Sequence, residues 1–158
     1  MFTLFSPKQL LLFCSLASSA LLLAAFGFEY LGGLTPCKLC LWQRWPHAGV
    51  ITLSLLGVAG VLRPQPAFSL VALSALFTAG IAGYHVGVEQ HFWPGPTSCS
   101  GTSTSISTAE LLDSLLATPV VRCDEIDWSF AGISMAGWNM FLSAGLAGFA
   151  LLARHKCS

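Results

Sequence analysis

The chain has 158 residues, 54% hydrophobic and 9% charged, with seven basic and seven acidic side chains and no formal net charge. A soluble domain carries about 25% charged residues, so this chain has too few to cover a water-facing surface. Its neutral balance also excludes the basic footprint of a nucleic-acid binder. A mean hydropathy of +0.72 leaves one small, polytopic membrane domain over residues 1–158.

A spanning helix takes about 20 apolar residues. The first charge-free stretch covers residues 9–28. Its apolar core exceeds the ~7–15 residues of a signal-peptide h-region, so it reads as a retained anchor. A loop over 29–44 follows, carrying Thr35-Pro36-Cys37-Lys38-Leu39-Cys40. Thr35 suits an N-cap and Pro36 the first helical position. Cys37 and Cys40 then fall in the first turns of a helix, whose positive end favours a thiolate. Arg44, four residues after Cys40, shares its helix face. Pro46 should kink the chain as it enters the second span, 45–62.

Arg63-Pro64-Gln65-Pro66 forms a tight turn into the third span, 67–86, and a long loop occupies 87–132. In that loop Ser107-Thr108-Ala109-Glu110 matches a capping box. Leu111, Leu112, Leu115 and Leu116 follow on one face, and Pro119 stops the run. This helix is too short to span and belongs on the membrane surface. Trp93 and Trp128 flank the loop where interface aromatics are expected. The last span covers 133–153. The expected fold is therefore all-α, a four-helix membrane bundle with a short interfacial helix in its second large loop.

Lys8, Arg63, Arg154 and Lys156 lie with the termini and the short turn, where no acid lies. The acids all fall in or beside the two larger loops, with Lys38, Arg44 and Arg122. The positive-inside rule then puts both termini in the cytoplasm. Cys37, Cys40, Cys99 and Cys123 share the outer, oxidising side, where disulfides persist. Cys14, inside the first span, reads as a small buried hydrophobe. Cys157, at the inner terminus, reads as an incidental reduced thiol.

A CxxC is either a metal half-site or a redox pair. Zinc takes four ligands, and compartment and spacing favour disulfides over metal. Arg44 at the membrane surface beside the CxxC reads as a functional cation for a thiolate or an anionic reduced acceptor. The sequence carries no haem-attachment CxxCH, no dinucleotide fingerprint and no iron–sulfur cysteine set. Electrons taken from thiols are then expected to pass to a lipid-dissolved acceptor, of which a quinone is the common one. His85 near the outer end of the third span could hydrogen-bond a quinone carbonyl, or simply be satisfied at the helix end. His91 reads as interfacial and Glu89 as a solvated loop charge.

Pro36-Cys37-Lys38-Leu39-Cys40-Leu41-Trp42-Gln43-Arg44 resembles the first periplasmic loop of the DsbB family. Trp93-Pro94-Gly95-Pro96-Thr97-Ser98-Cys99 resembles the start of its second loop. Cys123-Asp124-Glu125, with Trp128 and Gly132, resembles the passage into its last helix. The resemblance implies a bacterial inner-membrane enzyme that reoxidises a DsbA-like, thioredoxin-fold periplasmic oxidase and passes two electrons to ubiquinone or menaquinone. It implies that Cys99 carries the mixed disulfide with that partner and that Cys123 pairs with Cys99. Cys37 and Cys40 would receive the reduction by exchange, with Cys40 facing the quinone beside Arg44. DsbA is a strong oxidant, near about −120 mV, and the route through DsbB to quinone is the accepted kinetic source of an oxidising periplasm. Two alternatives remain at this level: a vitamin K epoxide reductase-like protein, whose CxxC normally follows the loop pair, and a scaffold with bracing disulfides.

Overall fold

The computed structural model describes residues 5–96 and 122–157. Its elements are α1 (Pro7–Tyr30), α2 (Lys38–Val58), α3 (Pro64–Glu89), β1 (Ser129–Phe130), β2 (Ile133–Ser134) and α4 (Met135–His155). The fold is an all-α polytopic membrane bundle; among the described residues it has four helices, of which α1, α3 and α4 are long and apolar enough to cross a bilayer. α2 is as long as α4 but carries Lys38, Gln43, Arg44 and His47 in its first half. The surface helix expected after Ser107 lies outside the described residues.

Local chemistry sets the helix ends. Ser6 and Gln9 exchange reciprocal bonds in a capping box, and Pro7 opens α1. α2 starts later than expected from Thr35: its N-cap is Cys37, whose Sγ accepts from the Cys40 amide at 3.3 Å. The thiol itself thus satisfies an otherwise orphaned amide, and Pro36 stays outside the helix. Pro46 lies inside α2 without ending it, and its carbonyl accepts from Ser74 of α3 at 2.8 Å.

The fourth helix also starts later than residue 133, because Ile133 and Ser134 pair with Phe130 and Ser129 in an antiparallel ribbon. Ala131 and Gly132 turn it with positive φ, 54° and 77°, as a type I′ turn requires. Ser134 then caps α4 by accepting from Gly137 at 3.1 Å. At the far end of α3, Trp93 folds back over Gly87, where any Cβ would strike its ring. Trp93 donates to the Tyr84 carbonyl at 3.0 Å and stacks on the Tyr84 ring. Trp93 therefore pins the start of the second loop to α3, beyond any role as an interface aromatic.

The main core fills one end of the bundle. Leu10, Leu11 and Cys14 of α1 meet Val50 of α2, Phe68 and Val71 of α3, and Leu146 and Ala150 of α4. Small residues, Ala67, Ala72, Ala75, Ala147 and Ala153, let the backbones approach. Lys156 donates to the Phe5 carbonyl at this same end, so the start of α1 and the end of α4 lie together. The widest interface joins α3 to α4, while α1 leans mainly on α2 and touches α4 little. That thin α1–α4 contact leaves room for a cavity toward the opposite end.

Candidate functional site

At that opposite end Cys37, Cys40, Leu39, Val88 and Cys123 form a second buried cluster. Cys37 and Cys123 are almost wholly buried, and Cys40 is partly open. Cys37 Sγ donates to Cys40 Sγ at 3.0 Å. This bond, with burial adding to it, pushes the Cys37 thiol up to about 12. The same bond holds Cys40 below the usual thiol range. The reduced pair therefore keeps one proton, on Cys37, and presents the thiolate at Cys40.

His85 stands behind Cys37. Its Nε2 lies 3.6 Å from Cys37 Sγ and 3.8 Å from Glu89 Oε1, and it also bonds the Cys123 backbone. Its Nδ1 meets Gln43 Nε2 at 3.1 Å. Glu89, expected to be a solvated loop charge, is instead buried on the last turn of α3, where it accepts from Ser134 at 2.5 Å. The carboxylate thereby ties the start of α4 to the histidine. Cys37, Cys40 and His85 offer ligand atoms within 4.8 Å of one another, one donor short of a tetrahedral zinc site.

Arg44 projects from the same α2 face as Cys40. Its Nη1 lies 2.6 Å from Glu29 Oε2, an ionic contact rather than a directed hydrogen bond. Its guanidinium also sits over the Phe26 ring at 4.7 Å. α1 thus supplies both the counter-charge and the platform that hold the cation at the lipid border.

Cys40, Arg44 and Glu29 open onto a cavity of about 400 Å³ between α1, α2 and α4. Leu21, Leu22, Ala25 and Leu142 give it an apolar body, and Trp128 and Trp138 line it as well. Phe28 packs on Trp128 at 4.9 Å between ring centroids. Its polar lining is Gln43, His47, Asn139, Thr35 and Asp127, with Cys40, Arg44 and Glu29. This is the pattern of a site for a largely apolar small molecule with a polar head.

Of the site residues expected from the sequence, Cys37, Cys40, Cys123 and His85 come together in one buried group. Arg44 shares the cavity wall with Cys40, and Cys99 lies outside the described residues. His85 touches Cys37 and Gln43 and is not part of the cavity lining. Glu29, Gln43, His47 and Asn139 were not singled out in the sequence, and Glu89 was read there as a solvated charge. A signal existed for two of them: Gln43 and His47 follow Cys40 by three and seven residues, on its helix face.

Residues 7–153 match the family model for disulfide bond formation protein DsbB. A disulfide bond formation protein B of Methylococcus capsulatus is 33% identical over 160 residues, covering 95% of each chain. One from Xylella fastidiosa is 34% identical, covering 92% of this chain and 86% of the relative. One from Xanthomonas campestris is 35% identical over 89% of this chain and 86% of the relative. These matches favour one of the three readings the sequence left open, and the buried thiol cluster agrees with it. The chain belongs to the DsbB family of thiol–quinone oxidoreductases, membrane enzymes that work through a relay of cysteine pairs.

Proposed function

We propose that this protein reoxidises a DsbA-like, thioredoxin-fold oxidase in the periplasm and delivers the electrons to ubiquinone or menaquinone in the inner membrane. Both termini lie in the cytoplasm. The observation that carries this reading is one juxtaposition: a cysteine of the second loop, Cys123, is buried against the Cys37–Cys40 pair at the mouth of an apolar cavity walled by Arg44.

The cavity suits a quinone in size and chemistry. Its volume of about 400 Å³ lies within the ordinary range for small-molecule sites, roughly 300–1,000 Å³. Its apolar body suits an isoprenoid-bearing ring, and its donors suit carbonyl oxygens. Arg44 and Cys40 would hold the headgroup. A bound quinone supplies a sink for two electrons and two protons.

The chain's own steps follow from the thiols. Cys99 takes the attack of the partner's thiolate, forming a mixed disulfide, and the partner's second thiol resolves it, leaving Cys99 and Cys123 reduced. Thiol–disulfide exchange then moves the disulfide out of the inner pair and into the loop pair, so that Cys37 and Cys40 become the dithiol. The hydrogen bond from Cys37 leaves Cys40 as the thiolate, which is the nucleophilic and electron-rich form. Arg44 stabilises negative charge at the cavity rim, and Glu29 holds Arg44 there. His85, in contact with Cys37 and not with the cavity, holds the Cys37 thiol in place for exchange. Closing that disulfide releases two electrons and the one proton left on Cys37; the second proton of the sink comes from water and replaces the one Cys40 gave up when it ionised.

Cys40→Ser is the test. Purified variant mixed with reduced partner and a short-chain ubiquinone should show no quinone reduction, while partner thiols still exchange with the loop pair. Retained quinone reduction in that variant would exclude this electron path. Mass mapping of Cys37, Cys40, Cys99 and Cys123 under non-reducing conditions, with and without quinone, should show the disulfide moving between loops. Impermeant thiol reagents applied to intact, reduced cells should label Cys40, the partly open and ionised thiol, but spare Cys157.

A further inference from the structure

Polar side chains inside a bundle that spans lipid are costly unless paired, and they mark either helix contacts or function. One chain of them links all four helices. Ser18 Oγ of α1 contacts His47 Nδ1 of α2 at 2.8 Å, and the His47 carbonyl at 3.1 Å. His47 Nε2 meets Asn139 Oδ1 of α4 at 2.9 Å. Asn139 Nδ2 donates to Gln43 Oε1 at 2.6 Å. Gln43 Nε2 meets His85 Nδ1 of α3 at 3.1 Å, and His85 reaches Cys37.

Ser143 also donates to Asn139 Oδ1, at 3.2 Å, so that oxygen is shared by His47 and Ser143 while Nδ2 faces Gln43. Gln43 therefore turns Oε1 toward Asn139 and Nε2 toward His85. His47 and His85, when neutral, then both carry their hydrogen on Nε2.

Each amide nitrogen has two hydrogens. Among the described residues Asn139 Nδ2 uses one of them on Gln43, and Gln43 Nε2 uses one on His85. Among the described residues one hydrogen on each nitrogen has no protein acceptor, and both residues line the cavity. A network that served only to bind helices together would gain nothing from spare donors in an apolar wall, because an unsatisfied buried donor is a net cost. Spare donors on residues that line a cavity call for a ligand with acceptor oxygens.

We propose that Asn139, oriented by His47, is a second polar anchor for the quinone, donating a hydrogen bond to one of its carbonyl oxygens, while Arg44 serves the rim. Asn139 is bonded to both Gln43 and His47, which lie four residues apart on one face of α2, a rise of about 6 Å. It lines the cavity from α4, whereas Arg44 lines it from α2. A para-quinone has two carbonyl oxygens, one for each of these residues. Asn139 is the binding residue in this assignment. His47 is a positioning residue that acts through it. The inference rests on the quinone reading above.

The test measures binding apart from turnover. Trp128 and Trp138 line the cavity, so a short-chain ubiquinone titrated into the purified, quinone-depleted protein should quench tryptophan fluorescence. Asn139→Leu should raise the Kd about tenfold, as expected for one lost hydrogen bond, and His47→Leu about fivefold. The double variant should be no weaker than Asn139→Leu alone, because both act on one contact. A ring-free isoprenoid alcohol, competing for the same cavity, should bind all variants alike. If Asn139→Leu does not fold, Asn139→Ser keeps a hydroxyl for the network, removes the amide donor and should show the same weakened binding. Unchanged ubiquinone affinity in folded variants would overturn the Asn139 assignment and leave the quinone reading intact. Equal weakening for the isoprenoid alcohol would also overturn it, since the loss would then be one of cavity shape. Failure of the wild type to bind ubiquinone would overturn both.

Discussion

At the end of the bundle that holds the start of α1 and the end of α4, the helices meet through Leu11, Phe68, Val71 and a series of alanines, and Cys14 is fully buried among them. At the opposite end the same helices meet through Cys37, His85, Glu89, Gln43 and Asn139, nearly every polar atom engaged by another. A cysteine belongs to both ends, but only one end can use it. Cys14 has apolar neighbours and no acidic or basic group beside it in the cluster. Cys40 has a thiol donor at 3.0 Å and a cation on its own helix face. Reactivity here follows from the neighbours, and the helices serve as a rigid frame for arranging them.

The comparison predicts that the two ends can be damaged independently. Phe68 is fully buried in the inert end, and truncating a buried Phe to Ala costs about 3–5 kcal/mol. Phe68→Ala should lower the unfolding free energy read from mixed-detergent titration by that amount. Quinone reduction per folded molecule, measured well below the transition, should stay within about twofold of the wild type. A matching fall in turnover would mean that the inert end also controls the geometry of the thiol cluster.

The next effect lies between two cysteines three residues apart. Cys37, pushed up to about 12, stays protonated across the accessible range, whereas Cys40 is held low. After reduction, iodoacetamide at neutral pH should modify Cys40 at least about 100-fold faster than Cys37, since the thiolate is the nucleophile. The Cys40 rate should rise with pH and level off at a midpoint below the usual thiol value. It should fall only as pH drops through that lowered value. Peptide mapping after timed quenching reads both rates. Cys37→Ser weakens the donor to Cys40, so the Cys40 midpoint should move upward.

Much of this contrast was legible in the sequence. Long charge-free runs set α1, α3 and α4, because apolar length is what lipid demands. Cys37, Cys40 and Arg44 stood out because helical spacing alone puts Cys40 and Arg44 on one face. The boundaries were less legible where a side chain or a ribbon competes with helix propensity. Cys37 caps α2 in place of Thr35, since a sulfur can take the orphaned amide, and the pairing of Ser129 with Ser134 delays α4. Glu89 looked solvated because its partner, Ser134, is 45 residues away. Glu29 looked like a plain loop charge for the same reason: it meets Arg44 only once α1 and α2 have packed together. Asn139 lies far in sequence from Gln43 and His47, and nothing local marks it out.

The smallest expected effect concerns Glu29. Its carboxylate lies 2.6 Å from Arg44, and both side chains are only 16–21% exposed, so each charge offsets the other at the cavity rim. Glu29→Gln keeps the shape of the side chain and removes the negative charge. If Glu29 mainly moderates the field of Arg44, the variant leaves a less compensated cation near Cys40 and near any anionic form of the reduced acceptor. The Cys40 alkylation midpoint should then move down slightly, and quinone reduction should speed up about two- to threefold, the scale of a partly screened ion pair. If Glu29 mainly positions Arg44, the freed guanidinium leaves the Phe26 ring for the headgroups, and quinone reduction slows with a raised KM. We expect the first outcome, because the Phe26 contact at 4.7 Å holds the guanidinium independently of the carboxylate. The sign of the change then distinguishes a tuned cation from a tethered one, and so tells whether α1 contributes charge or only geometry to the reactive end.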